Sequence, residues 1–533
     1  MKKFLVILLS LSLLLPLPAL AADQADLLQK MEALSKELDR LKQQMQEIQQ
    51  KETAKEERIT VVEKKAEQAA GPSWLEIGGD YRFRMDSLKG KVHDYARPNS
   101  LVAMPPTSLG VQGYDVKNDS LLTNRFGLNL NAKATEDIQV KARLLMYKVW
   151  GHSTGDPVIG GYTDGAFFAD RQSIFDGNVS HVPQDNTLRV DQAYATWSNI
   201  GGAPVWFSIG RRPSTGGVPS NLRQNLEKVG TAGVPALLVD YAFDGLTLGY
   251  APDIDALPGA YAKLCYGKGF DSGFRNINRA NNINDVNMLG INLVPYDTDN
   301  LRVEFQYQRA MSVFAFPDAY RTAMLAALGV TSTNNVNLGD IDYYGTVITG
   351  KINNVGPGDL NLFASAAINK TRPNDSMFAG AYGLLYTSTA AGGEGKKSRT
   401  GSAYYLGARY DIKSSGTKIG AEYNHGSKNW IAFDPASDDM WTGKLGTRGD
   451  VYEVYLIQEL NKKPIAKRGK AFFRLGYQYY KFDHTGSSNW VGEPVKMSDL
   501  SVNDATPTKM YKWQLMSPLK NASDIYLTFD VLF

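Results

Sequence analysis

One cysteine in 533 residues, Cys265, excludes an intrachain disulfide framework and any Cys-x-x-Cys-His haem attachment site. Histidine is nearly as scarce. His93, His152, His181, His425 and His484 are scattered, with no His-x-x-x-His pair, so their spacing encodes no metal site. Net charge is small: the formal +3, less Lys2 and Lys3 of the leader described below, leaves +1. Bulk attraction to nucleic acid is therefore not implied. Long apolar runs are missing too. After Phe4 to Leu15 nothing approaches the ~20 apolar residues of a spanning helix, so any membrane passage is not made by helices.

What is abundant points elsewhere. Fifty Gly, 28 Tyr and 21 Phe accompany a mean hydropathy of −0.30. That mixture suits a barrel with a wet inner face and long loops.

The chain opens on Met1-Lys2-Lys3, an apolar run and "PLPALAA", which predicts a secretory signal peptide over 1–21, cut just after Ala21 or Ala22. Over 22–70 the apolar residues Leu27, Met31, Leu34, Leu38, Leu41, Met45 and Ile48 step by four and three. This is a coiled-coil seam. It falters at Glu52 and Lys55, resumes at Ile59 and Val62, and stops at Gly71-Pro72. Two readings are open: a homotrimer joined through 27–62 in the periplasm, or a lone charged spacer helix.

From Ser73 onward the period changes to two. In "SWLEIGGDYRFRMDSL" (73–88), Leu75, Ile77, Tyr81, Phe83 and Met85 alternate with Glu76, Asp80, Arg82, Arg84 and Asp86. The same pattern recurs at 125–133, 138–144, 301–308, 404–412, 418–424 and 472–480. Short turns at 135–137, 199–204, 244–245, 296–300, 354–359, 413–416 and 461–469 alternate with long polar loops. The loops fall near 88–118, 150–186, 213–234, 312–338, 370–399, 428–448 and 484–508. Such segregation predicts an all-β antiparallel transmembrane barrel over 73–533, in the outer membrane, with its turns in the periplasm. The strand count is about 16, or 18 if "GAYAKLCYGKG" (259–269) and "KMYKWQLM" (509–516) both span. The end, "SDIYLTFDVLF", alternates onto an aromatic terminal residue and resembles the carboxy-terminal targeting strand of outer-membrane barrels. Backbone groups unpaired in lipid cost several kcal/mol each, so the sheet must close, and a barrel this wide leaves an aqueous bore.

Catalytic motifs are weak. "GHSTG" (151–155) fits Gly-x-Ser-x-Gly, but Ser153 opens a long loop without the strand–turn–helix setting of a nucleophile elbow. No catalytic residue, metal or cofactor is expected. The candidate site is the lining of the bore. On the polar face stand Arg82, Arg84, Arg125, Lys141, Arg143, Arg302, Arg409 and Arg474, with Asp80 and Glu304 among the acids. Counting Lys133 and Lys418 on one side and Glu76, Asp411, Glu422, Asp524 and Asp530 on the other, ten bases face seven acids. A basic excess lowers the barrier to anions, unless these groups merely pair as wall residues. Arg211 and Arg212 end a strand before a Gly/Pro-rich loop, which either folds inward as a constriction or caps the rim.

The stretches "WFSIGRRPSTGGVPSN" (206–221), "YAFDGLTLGYAPD" (241–253), "RVDQAYATW" (189–197) and "EIGGDYRFR" (76–84) resemble a family assigned as outer-membrane porins, of unknown function, from metal-respiring Gram-negative bacteria. The resemblance implies an outer-membrane channel and, for some members, support of extracellular electron transfer, with a periplasmic or cytochrome partner. It supplies no site residues. The expected function is passive diffusion of small hydrophilic solutes or ions, with a mild anion preference. The alternatives are a barrel component of a cytochrome-based conduit and an outer-membrane hydrolase or plugged scaffold.

Overall fold

The computed structural model describes residues 74–100, 107–151, 181–183, 185–271, 285–314, 337–378, 380–434, 438–460, 464–466 and 469–533. The expected leader, the coiled coil and Ser153 lie outside these.

Sixteen antiparallel strands close into one barrel. The first eight are β1 (Leu75–Val92), β2 (Asp115–Lys133), β3 (Ile138–Val149), β4 (Arg189–Trp197), β5 (Val205–Arg212), β6 (Phe243–Tyr250), β7 (Tyr261–Phe270) and β8 (Val286–Asp297). The rest are β9 (Leu301–Phe314), β10 (Asn337–Val355), β11 (Gly358–Pro373), β12 (Thr400–Ile412), β13 (Thr417–Gly426), β14 (Gly449–Glu459), β15 (Lys470–Phe482) and β16 (Leu519–Leu532). Each pairs with its sequence neighbour, and β1 pairs with β16 from Asp80↔Leu532 to Lys91↔Asn521. The seam is finished by Gly79 N–H donating to Phe533 O at 2.8 Å and Phe533 N–H donating back at 3.0 Å.

The two doubtful segments resolve differently. "YAKLCYGKGF" (261–270) is a full strand, with Leu264 opposite Leu248 on one side and Ile291 on the other. Residues 507–512 form 3-10 turns instead, so sixteen strands and not eighteen make the wall. The expected turn at Asp244-Gly245 is not a turn but the start of β6. Glycine stands there because a Cβ would meet Tyr266 O at 2.0 Å, a close approach inside the sheet. True tight turns use left-handed residues, as where the last residues of β10 turn into β11, with Asn354 at φ 58° and Gly356 at φ 60°.

Alternation decides which side each residue takes. Ile77, Ile209, Leu264, Ile291, Ile348, Ile419, Val454, Leu475 and Ile525 stand exposed on the outer face. A soluble protein exposing so continuous an apolar band would aggregate, whereas hydrocarbon covers it. Aromatic rings flank the band. Trp74, Trp197, Tyr250, Phe473 and Phe533 are exposed toward the turn end. Tyr344, Tyr404 and Tyr452 are exposed toward the loop end, with Tyr423 set 5.8 Å from Tyr404 and 5.1 Å from Tyr452. This is the girdle arrangement of a transmembrane barrel.

Candidate functional site

Two long loops fold into the bore. Loop A (213–242) joins β5 to β6, and loop B (427–448) joins β13 to β14. Each contains an apolar run that water would not tolerate: "VPALLV" (234–239) in A and "WIAF" (430–433) in B. Leu237, Leu238, Trp430 and Ile431 are fully buried. The runs meet each other, with Phe433 N–H donating to Leu238 O at 2.9 Å and Asp240 N–H to Phe433 O at 2.8 Å. At roughly 25 cal/mol per Å² of apolar surface removed from water, these runs drive both loops inward.

Loop A crosses the whole barrel. Its short helix α1 (Ser220–Gln224) ends at Asn225, held in the left-handed region at φ 56°. The Asn225 amide donates to Glu459 at 3.0 Å and accepts from Lys418 Nζ at 2.7 Å, both at the turn end of the wall. Lys228 Nζ donates to Asp297 and to Thr298 O, each at 2.7 Å, in the turn between β8 and β9. Loop A therefore enters at one rim and is tied to the other.

Ion pairs fix both loops to the wall reciprocally. Loop B carries acids to wall bases: Asp438 pairs with Arg82 and lies 3.9 Å from both Arg84 and Arg125. Burial opposes its ionisation, but Arg82, Arg125 and Arg84 hold its carboxyl well below the usual carboxylate range. The loops also carry bases to wall acids. Arg223 of loop A reaches Glu453 at 3.2 Å and Asp439 of loop B at 2.6 Å. Lys444 of loop B pairs with Glu422 and with Glu453, the latter at 2.6 Å. Gln478 donates to Asp439 at 2.8 Å and to Glu453 at 3.1 Å, joining these into one network.

The residues expected on the bore lining occupy two settings. Arg302, 1% exposed, is bound to Glu304 at 2.9 Å, Asp297 at 2.5 Å and the Tyr261 hydroxyl at 2.6 Å. Arg409 pairs with Asp411 at 2.7 Å and donates to Leu222 O, while Arg474 donates to Arg223 O at 2.9 Å. Arg82 and Arg84 are buried against Asp530, Asp86 and Asp524 at 2.5, 2.6 and 3.1 Å. These all pack against loops or neighbouring wall. Asp80, Arg125 and Arg143 are wetter, with side chains 17–19% exposed. Arg143 meets Asp80 at 2.6 Å and Asp191 at 3.5 Å. Lys141 lies beside Asn131 and Tyr194, half-buried. Arg211 and Arg212 part company. Arg212 turns inward to Ser208 at 2.9 Å and to Thr247, while Arg211, in register with outward-facing residues, lies 3.6 Å from exposed Asp244.

The strand pattern alone misses Arg223, Asp438, Asp439 and Lys444. The detectable signal is the apolar content of their loops, since a loop of that composition must find cover. Asp438 also changes the charge balance, because the basic ladder on β1 and β2 is met by an acid from a loop.

A family model described as "Protein of unknown function (DUF3373)" matches residues 115–533. No curated protein matches the chain. Among solved structures, the trimer form of the outer-membrane protein OmpT of Vibrio cholerae is similar, with 11% identity over 86% of this chain and 99% of that one, at a TM-score of 0.37. An anion-selective porin from Comamonas acidovorans gives 10%, 86%, 99% and 0.39. Salmonella typhi OmpF in complex with daunomycin gives 10%, 86%, 97% and 0.38.

Proposed function

The chain belongs to the family of unknown function DUF3373, and we propose that it is a restricted outer-membrane channel for small hydrophilic solutes and ions. One observation carries this reading. On β2, β3 and β4 the inward side chains Asn129, Asn131, Lys133, Lys141, Arg143 and Tyr194 retain contact with water, while Asn292, Glu304, Asn369, Asp524 and Thr528 on β8 to β16 are enclosed. Polar groups along one arc form a wetted path past a packed plug. Transport is passive, and no residue takes a chemical role in it. Because Asp80, Asp191 and Asp438 offset Arg125 and Arg143, the ion preference is weak, with Lys141 tilting it toward anions.

The amino-terminal seam over 27–62 would hold three copies together in the periplasm. A trimer on crosslinking that is lost when 24–68 is deleted supports this. A sheath around a multihaem cytochrome is less well supported, since loops A and B already occupy the space such a partner would fill. Planar-bilayer recording with a salt gradient tests the channel reading. Small discrete steps with a reversal potential slightly on the anion side are expected. Membranes that stay silent with the folded barrel inserted would sink it.

A further inference from the structure

Away from the wet arc, a hollow of about 50 Å³ lies between loop A and the wall formed by β5 to β9. Its floor is shaped by missing side chains. Gly245, Gly267 and Gly290 all face inward on adjacent strands, and Ala232, Val234 and Val239 of loop A roof the space. Its polar lining is one-sided in charge. Lys263, 3% exposed, donates to Thr231 O at 2.8 Å and to Gly233 O, so two of its three N–H bonds are used on carbonyls. Arg212 donates to the hydroxyls of Ser208 and Thr247 and lies within hydrogen-bond reach of the Cys265 sulfur, which still leaves N–H bonds of its five unspent. Among the described residues neither cation meets a carboxylate within ion-pair distance. Glu304, the nearest wall acid by sequence register, is taken by Arg302 at 2.9 Å and Asn292 at 2.7 Å.

A second observation points the same way. Gln308 is 4% exposed and lines this hollow, yet its Nε2 donor has no partner. Two cations and an orphan amide donor around one buried space would be costly if nothing answered them. Surplus donors without acceptors describe a receptor for negative charge.

We propose that this hollow binds one small inorganic monovalent anion, held by Arg212, Lys263 and Gln308 between loop A and the wall. The size sets the class: the volume suits a few water-sized groups and is too small to enclose an organic ligand, although a small reagent can reach the part-exposed Cys265 at its edge. The site is separate from the proposed conduction path, and it stands whether or not the barrel conducts.

Cys265 makes the test direct, because it is the only cysteine of the chain, lines the same hollow and is part-exposed. The folded full-length protein in detergent is labelled with an uncharged methanethiosulfonate at fixed ionic strength, in chloride, bromide or the bulky anion gluconate. Chloride and bromide are expected to slow labelling severalfold and saturably. Lys263→Met should abolish the protection. Gly290→Ala should do so without altering charge, since its new Cβ would come 3.0 Å from the Gln306 amide nitrogen and narrow the floor. Equal rates in chloride and gluconate would overturn the proposal, as would full protection in a folded Gly290→Ala. Should Lys263→Met fail to fold, bromide-soaked crystals of the unaltered protein decide: an anomalous peak in the hollow supports the site, and its absence refutes it.

Discussion

The wall is built by one rule all the way round, yet its inner face has two fates. Along β8 to β16, Asn292, Glu304, Asn369, Asp524 and Thr528 are completely enclosed, whereas along β2 to β4 Asn129 and Lys133 remain exposed. Alternation is the same on both arcs, and so is the mixture of polar residues. The difference comes from what leans on them. Loops A and B lie against the first arc and supply the counter-charges Arg223, Asp439 and Lys444. An inward polar residue is thus a channel lining or a plug anchor according to a distant loop, not according to its own strand.

The comparison can be broken by removing the loops. Replacing 215–240 with a short Gly-Ser linker should bare the packed arc and raise single-channel conductance severalfold, measured in planar bilayers. An unchanged conductance would mean that loop A does not obstruct the bore. Next in size is Asp438→Asn, which leaves Arg82, Arg84 and Arg125 facing an uncharged amide. Breaking a buried pair costs about 3–5 kcal/mol, so the temperature of heat-modified migration on a gel should fall markedly and the reversal potential should move toward anions.

A smaller change sharpens the contrast from the other side. Lys141→Glu on the wet arc should shift selectivity toward cations with little effect on unfolding, because a partly exposed charge contributes only about 0–1 kcal/mol. If thermal stability falls as far as with Asp438→Asn, the two arcs are not distinct. The smallest effect concerns pH. Burial pushes the Asp240 carboxyl up to about 6, against the pull of His181. With its folded value raised, the stability it lends loop A is complete below about pH 4 and is lost as the pH rises through 6. Conductance should therefore rise slightly between about pH 4 and 6 and level off above that, and Asp240→Asn should flatten that slope.

Much of the barrel is legible from residue order, because a two-residue period with one face free of charge fits few folds besides a sheet set against lipid. The opening strand, the turn-and-loop rhythm and the terminal strand all read directly. β7 is ambiguous because Lys263, Gly267 and Lys268 interrupt its pattern, and Lys263 makes sense only once the carbonyls of loop A are in place. Asp244-Gly245 imitates a hairpin turn, while the glycine answers a crowded backbone one strand away. The plug is the least legible part. Its anchors sit in segments with no period, and their partners lie up to 356 positions away, as for Arg82 and Asp438. No local pattern encodes such a meeting.

Loop A belongs by connectivity to the rim with the large loops, but Leu226 and Glu227 at its tip are exposed near the opposite rim. A messenger confined to one compartment could thus read, at two residues, how the far side of the barrel is dressed. A cysteine placed at 227 in a Cys265→Ser chain would make that gauge visible, since a reagent admitted only from the turn side would reach it while the strap stays seated and lose it when the strap withdraws.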